Sequence, residues 1–171
     1  IMLSNIPDIT DIARLVTVLK NLGSKIIWNK EKKELYINNS SINFNSISKS
    51  EVGNMRGISL LWGPMLSRFG KVTFDELPGG CTLGVRPLEP HYDVFRDLGV
   101  DIKLNGRSVT MDAKNAKSKT VWLTEMSPTV TENAIMLAIL LKGKTTIIGA
   151  ASEPGVQDLC HLLNQSGAKI K

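Results

Sequence analysis

Apolar positions along this chain recur around three glycines. In VTVLKNLGSKIIW, YDVFRDLGVDIKL and CHLLNQSGAKIK, the residues five and four before the glycine and three after it are apolar: Val18, Leu19 and Ile26 about Gly23, Val94, Phe95 and Ile102 about Gly99, and Leu162, Leu163 and Ile170 about Gly167. The pattern predicts an amphipathic helix, a glycine that ends it in the left-handed conformation, and then a strand. Each helix follows a proline-bearing turn, NIPDITD, RPLEPHYD or SEPGVQD, and each turn follows a short strand-like run, IML, KVTF or TTII. Such self-similarity marks a chain built from one repeated supersecondary unit.

Two further segments, NMRGISLLWGPMLSRFG and TENAIMLAILLKG, are apolar nearly all the way round, which predicts helices buried on every side. Thr129 and Glu132 have capping-box spacing at the start of the second, and Pro64 is expected to kink the first. The unit therefore reads as buried helix, strand, proline loop, surface helix, glycine and two-stranded hairpin, with helices inside and sheets outside. The first copy lacks the buried helix, and the third reaches Lys171 after one strand of a hairpin that the others complete through ELYI and SVTM. With Ile1 in place of a methionine, the chain reads as a fragment cut inside repeats at both ends. It is expected to be a single partial domain of three repeats, approximately 1–50, 51–114 and 115–171.

Composition adds limits. A chain of 171 residues, 42% hydrophobic and 22% charged, is an ordinary globular sequence that buries roughly 70% of its unfolded surface. The longest apolar stretches, ISLLWGPML and AIMLAILL, fall short of the ~20 residues of a membrane span, and no secretory leader opens the sequence. No membrane insertion and a cytoplasmic location are expected. Two cysteines cannot build a disulfide framework, and no Cys/His cluster has zinc spacing, so neither a metal nor a cofactor is expected. The net charge of +5 is spread over scattered lysines with no aromatic-rich basic motif, which argues against nucleic acid and suits small anionic substrates.

One loop carries chemistry. In LPGGCTLGVRP, Cys81 follows Gly79 and Gly80 and stands five residues before Arg86. Most free cysteines are small buried hydrophobes, the reading that suits Cys160 in the helix before Gly167. For Cys81, in a glycine-rich loop near a fixed positive charge, the residues alone favour that same reading, since a lone cysteine is a weak signal.

The motifs NMRGISLLWGPMLSRFG, LPGGCTLGVRPLEPH, TVTENAIMLAILLKGKTTI and EPGVQDL resemble the UDP-N-acetylglucosamine enolpyruvyl transferase family, related to the enolpyruvyl transferase of the shikimate pathway. The resemblance covers essentially the whole chain, and the Gly-Gly-Cys loop with Gly-x-Arg-Pro is specific to the former branch. It implies an inside-out α/β barrel of repeated βαβαββ units, with buried helices and outer sheets, here most of the domain that carries the cysteine loop. It also implies transfer of the enolpyruvyl group of phosphoenolpyruvate to the 3-hydroxyl of UDP-N-acetylglucosamine, with loss of phosphate, which commits the sugar to peptidoglycan.

The resemblance assigns roles residue by residue. Cys81 matches the proton donor on a mobile loop, which the epoxide fosfomycin alkylates, and Gly79 and Gly80 let that loop open and close. Arg86 matches an arginine that contacts phosphate and the nucleotide, the competing reading being a solvated loop charge. Arg56 matches an arginine at the start of a buried helix, where a structural ion pair competes. The nucleotide is expected along Arg86, Pro87, Leu88, Glu89 and Pro90 and against Glu125, Met126, Ser127, Pro128 and Thr129, with Ser127 donating to a diphosphate oxygen and His91 a helix-start or packing residue. Ordinary turn chemistry is the competing reading of both loops. Glu89 stands where the family often has aspartate, Ser-Pro-Thr where it usually has Ser-Val-Gly, and Glu125 at a position that can be lysine. Ser-Pro-Thr and Glu125 keep open a different nucleotide acceptor, and the missing half of the family's protein keeps open a non-catalytic nucleotide-binding module. The family's second domain, which supplies an aspartate base and further arginines, is expected to be missing here, so that the fragment alone is inactive.

Overall fold

Each of the three glycines that pace the sequence follows a helix in the left-handed conformation, with φ of 96° at Gly23, 95° at Gly99 and 103° at Gly167. The computed structural model describes residues 1–43, 56–79 and 87–171. It separates into two units, Ile1–Ile58 with Phe74–Thr82 and Ser59–Thr73 with Leu83–Lys171. Among the described residues, no helix is long and apolar enough to cross a membrane.

The first unit opens with β1 (Met2–Leu3), α1 (Thr10–Asn21), β2 (Lys25–Asn29) and β3 (Glu34–Asn38). The strands form an antiparallel sheet in the order β1-β3-β2, with Trp28 opposite Leu35 and Ile26 opposite Ile37. Alternation along β2 sends Ile26 into a core with Val16 and Leu35 while Ile27 faces out. After the hairpin the chain doubles back over the glycine that ended α1. There the Asn43 N–H donates to the Leu22 carbonyl at 3.0 Å, and a Cβ on Gly23 would lie 2.8 Å from the Ser41 carbonyl oxygen.

A second copy follows. A 3-10 turn (Arg56–Leu61) runs into α2 (Trp62–Phe69) and β4 (Lys71–Phe74), and then come α3 (Glu89–Asp97), β5 (Asp101–Asn105) and β6 (Ser108–Asp112). The sheet order is β4-β6-β5. The return over the glycine is the same: the Lys117 N–H donates to the Leu98 carbonyl at 2.9 Å, and a Cβ on Gly99 would lie 2.6 Å from the Asn115 carbonyl oxygen.

The last part consists of β7 (Thr120–Trp122), α4 (Pro128–Ala138), β8 (Thr146–Ile148) and α5 (Pro154–Gln165), with β7 and β8 parallel across the α4 crossover. Helix α4 is the element on which α2, α3 and α5 all pack, and its buried residues Val130, Thr131, Asn133, Ala134, Ile135 and Leu137 leave no polar face. The predicted buried helix is thus central to the second unit. Beneath α4, Trp62 stacks on Tyr92 with ring centroids 5.5 Å apart, and Phe95, Leu98 and Met111 are fully buried.

Three expectations need correction. The segment predicted as one kinked helix divides into a 3-10 turn and α2, with Pro64 as the third residue of α2. Proline belongs there, because first-turn N–H groups have no intrahelical partner in any helix. The capping box does not form: Pro128 takes the first helical position, Ser127 becomes the N-cap, and no side-chain cap bond is made. Finally, residues 168–171 form no strand. The Asn164 amide substitutes for a partner strand, donating to the Ile170 carbonyl at 2.9 Å and accepting from its N–H at 2.7 Å.

The two kinds of glycine site are separable by substitution. Gly167→Ala meets open space and carries only the left-handed backbone cost of ~1–2 kcal/mol, whereas Gly99→Ala adds a collision with the Asn115 backbone. Urea unfolding should rank Gly99→Ala as the more destabilising by at least ~1 kcal/mol.

Candidate functional site

The two segments predicted to hold a nucleotide lead into α3 and α4, and one histidine joins those helix starts. Leu88 is the N-cap of α3, its side chain 8% exposed, and its carbonyl accepts from the N–H groups of His91 and Tyr92. The Leu88 side chain thus belongs to the core and its carbonyl to the helix. The helix ladder leaves the N–H groups of Leu88 and Glu89 for other acceptors, since Pro90 has none. Pro87 and Glu89 are exposed and Pro90 is half-buried, so the outward face of this turn is short and proline-fixed.

In the other segment, Glu125 and Met126 are exposed and Ser127 and Pro128 half-buried. Ser127 is extended, and its carbonyl accepts both the Thr131 N–H at 3.0 Å and the Thr131 hydroxyl at 2.9 Å. Thr131 Oγ1 in turn accepts from the Ala151 N–H at 3.0 Å, which ties the start of α4 to the turn before α5. The loop thus stands beyond the carboxyl end of a parallel strand and at a helix N-terminus, where backbone N–H groups and the helix dipole favour anions. Ser127 Oγ lies 3.4 Å from Thr129 Oγ1 at this position.

The residue that brings the segments together was not singled out by sequence reasoning. Asn133 is 0% exposed in the second turn of α4. Its Oδ1 accepts from the Gly63 N–H at 2.8 Å, while Nδ2 donates to the Ser59 carbonyl at 3.0 Å and faces His91 Nδ1 at 3.2 Å. Two backbone partners of opposite type settle which end of the amide is nitrogen. His91 Nδ1 is therefore the acceptor, and the ring proton sits on Nε2, which faces Thr129 Oγ1 at 3.5 Å. His91 is 3% exposed and meets Trp62 edge-on, the buried helix-start placement expected of it. The available signal for Asn133 was a lone amide inside an otherwise apolar helix pattern.

The remaining candidates fall elsewhere. Cys81 and Arg86 lie outside the described residues. Arg56 opens the 3-10 turn, half-buried, and belongs to the first unit. Cys160 packs beside Ile135, Ala151 and Val156, and burial pushes its thiol pKa up, away from thiolate chemistry. Glu132 is also shifted upward, by burial first and by the nearby Glu153 carboxylate second.

The EPSP synthase (3-phosphoshikimate 1-carboxyvinyltransferase) family pattern matches residues 1–171. UDP-N-acetylglucosamine 1-carboxyvinyltransferase of Campylobacter hominis is 39% identical over the whole chain, and that of Helicobacter hepaticus 37%. The chain spans about 40% of the length of each of these relatives. Among solved structures, the enolpyruvyl transferase NikO of Streptomyces tendae superposes over 99% of this chain and 40% of its own, with a TM-score of 0.84 at 21% identity. EPSP synthase of Acinetobacter baumannii does so over 93% and 36%, with a TM-score of 0.68 at 17% identity. Both share the mixed α/β fold.

The raised Glu132 pKa has a definite sign. Below its unfolded value the carboxyl is protonated in both states and folding bears no penalty; as pH rises through the folded value, ionisation costs more in the folded protein and stability is lost. Glu132→Gln should match the parent in urea midpoint near pH 4 and exceed it near pH 7.5. An advantage of the same size at both values would contradict the assignment.

Proposed function

Because the chain belongs to the EPSP synthase family, we propose that it forms the cysteine-loop part of an enzyme that transfers the enolpyruvyl group of phosphoenolpyruvate to the 3-hydroxyl of UDP-N-acetylglucosamine, releasing phosphate for peptidoglycan synthesis. The observation that carries this reading is the 39% identity, over every residue of the chain, to a relative named for that reaction. The Gly-Gly-Cys and Gly-x-Arg-Pro motifs at 79–81 and 84–87 supply the residue types the chemistry needs.

In this reading the acceptor nucleotide lies across the α3 and α4 starts. The Leu88 and Glu89 amides face its base, and Ser127 donates to a diphosphate oxygen. Arg86 and Arg56 add permanent positive charge for phosphate and carboxylate. The Cys81 thiol gives its proton to the methylene carbon of phosphoenolpyruvate as the sugar oxygen bonds to the adjacent carbon; loss of a proton from the new methyl group and departure of phosphate restore the double bond. Arginines and an aspartate base for the sugar hydroxyl come from a second domain. The reaction takes place in the cytoplasm, where both substrates are made.

The test is phosphate release by the intact gene product with both substrates present. Cys81→Ser should abolish it, since a hydroxyl of similar size is far too weak an acid near neutral pH. Cys81→Asp should keep a measurable part, because a closed site with anionic ligands raises a carboxyl from ~3.9, and that activity should fall between about pH 5.5 and about pH 8.5. The activity kept by Cys81→Asp should be insensitive to fosfomycin, which needs a thiolate nucleophile. Full activity in Cys81→Ser would remove Cys81 from the proton-donor role, and turnover with another nucleotide acceptor alone would replace the substrate assignment.

A further inference from the structure

The loops that lead into β7 and β8 carry lysines in pairs, Lys117 with Lys119 and Lys142 with Lys144. Distant in sequence, the pairs are made neighbours by the fold. Strands β7 and β8 run parallel from Thr120 opposite Thr146, the Thr146 N–H donates to the Lys119 carbonyl at 3.2 Å, and a Cβ on Gly143 would lie 3.4 Å from Ser118 Cβ. All four lysines are exposed. Among the described residues none of them forms a salt bridge, and no acidic residue occurs in 113–124 or 138–152.

Two observations separate this cluster from an ordinary solvated face. Like charges repel, so four unpaired ammonium groups on adjoining loops work against the folded state. The helix dipole does not call for them, because Lys142 lies four residues past Ala138, the end of α4, and the dipole acts only within the last turn. The same loops also hold unused donors. Ser118 Oγ and Thr145 Oγ1 are buried without a hydrogen-bond partner, and the N–H groups of Lys142, Gly143 and Lys144 meet no main-chain acceptor among the described residues. Positive charge beside orphaned donors is complementary to an anion with several acceptor oxygens.

We propose that Lys117, Lys119, Lys142 and Lys144 bind a phosphate-bearing anion, with the Ser118 hydroxyl donating one hydrogen bond to it. Ammonium groups on flexible stems reach several oxygens without the fixed geometry that an arginine fork imposes. Ser118 stands between Lys117 and Lys119 and against Gly143, so both lysine pairs flank it. Its side chain is half-buried on a loop, where a change of staggered rotamer aims the hydroxyl at the ligand. The cluster lies at the other end of α4 from Ser127, one helix length or about 16 Å away, and it does not depend on the acceptor reading above. The phosphate group belongs either to a soluble polyanion or to the headgroup of an anionic lipid, whose chemistry here is the same.

The test uses the intact gene product carrying Arg86→Gln, which removes a competing phosphate ligand, with inorganic tripolyphosphate as the titrant. Binding should shift the backbone amide signals of residues 117–119 and 142–144. Lys117→Gln with Lys119→Gln, and separately Lys142→Gln with Lys144→Gln, should each raise the dissociation constant about ten- to thirtyfold, the range of two unit charges at contact in water. Ser118→Ala should raise it about three- to tenfold. Lys20→Gln with Lys32→Gln removes the same charge from the first unit and should leave affinity unchanged. Sedimentation with phosphatidylglycerol in phosphatidylcholine vesicles, against phosphatidylcholine alone, identifies the source: lysine-dependent binding to the former assigns a lipid headgroup, and tripolyphosphate binding without it a soluble anion.

Undiminished affinity in either lysine pair overturns the proposal, as does an equal loss in the Lys20 and Lys32 variant, which would make the effect one of net charge. Failure to bind both tripolyphosphate and the anionic vesicles overturns it as well. Unaltered affinity in Ser118→Ala removes the serine from the site. Should a lysine pair fail to fold, the amide shifts of the Arg86→Gln protein decide.

Discussion

The second unit depends on a single buried amide. Asn133 has no access to water, and a side-chain amide left without partners in the interior costs several kcal/mol, of order 1–3 for each unsatisfied group. Its partners come from the 3-10 turn, α2 and α3, so satisfying the amide fixes three neighbours of α4 at once. Gly63 makes this possible: a Cβ there would lie 2.5 Å from the Asn133 carbonyl oxygen, so only a glycine lets the two backbones come close enough for the Gly63 N–H to reach the amide oxygen. The bond also gives an N–H in the first turn of the Pro64 helix an acceptor on another helix.

What α4 does for the core it also does for the surface. The turn from Glu125 to Ser127 is held by Thr131, the α3 start by the Leu88 carbonyl, and the two by His91, which reaches Asn133 through one ring nitrogen and faces Thr129 with the other. The buried bonds among Asn133, Ser59, Gly63 and His91 reinforce one another, because each polarises the next at low dielectric. The candidate nucleotide loops are therefore preorganised by the same contacts that stabilise the helix packing, and they do not need a ligand to define their geometry.

Local chemistry made part of this legible. The spacing of Gly23, Gly99 and Gly167 from their apolar neighbours disclosed helix, stop and strand, because a left-handed residue after a helix is a local demand. The hairpins after Gly23 and Gly99 followed from it. The segment after Gly167 did not, since strand formation needs a partner strand and Asn164 satisfies Ile170 in its place. Strand β7 was not located among the residues either: three residues are too few for a periodic signal, and its pairing with β8 is fixed by the α4 crossover. The Thr129–Glu132 spacing misled because Pro128 outcompetes a capping threonine for the helix start. Asn133 was out of reach for a different reason: its partners Gly63 and Ser59 are 70 and 74 residues away, and no local pattern encodes a contact at that range.

In the proposed nucleotide reading, the exposed carboxylate of Glu125 sets the opposite constraint, since a negative charge beside phosphates works against binding. Solvent decides its size: two unit charges about 8 Å apart in water interact by only ~0.5 kcal/mol, and physiological salt lowers that further. A lysine in the same exposed place would gain an attraction no larger. Fixed donors at the starts of α3 and α4 are less sensitive to screening, because hydrogen bonds act at contact distance and in one direction. They tell a phosphate oxygen from another anion by position, which bulk charge cannot do. In that proposed reading, the positive charge a diphosphate requires falls to arginine, and Arg86 precedes Pro87 and the α3 N-cap Leu88 in the sequence.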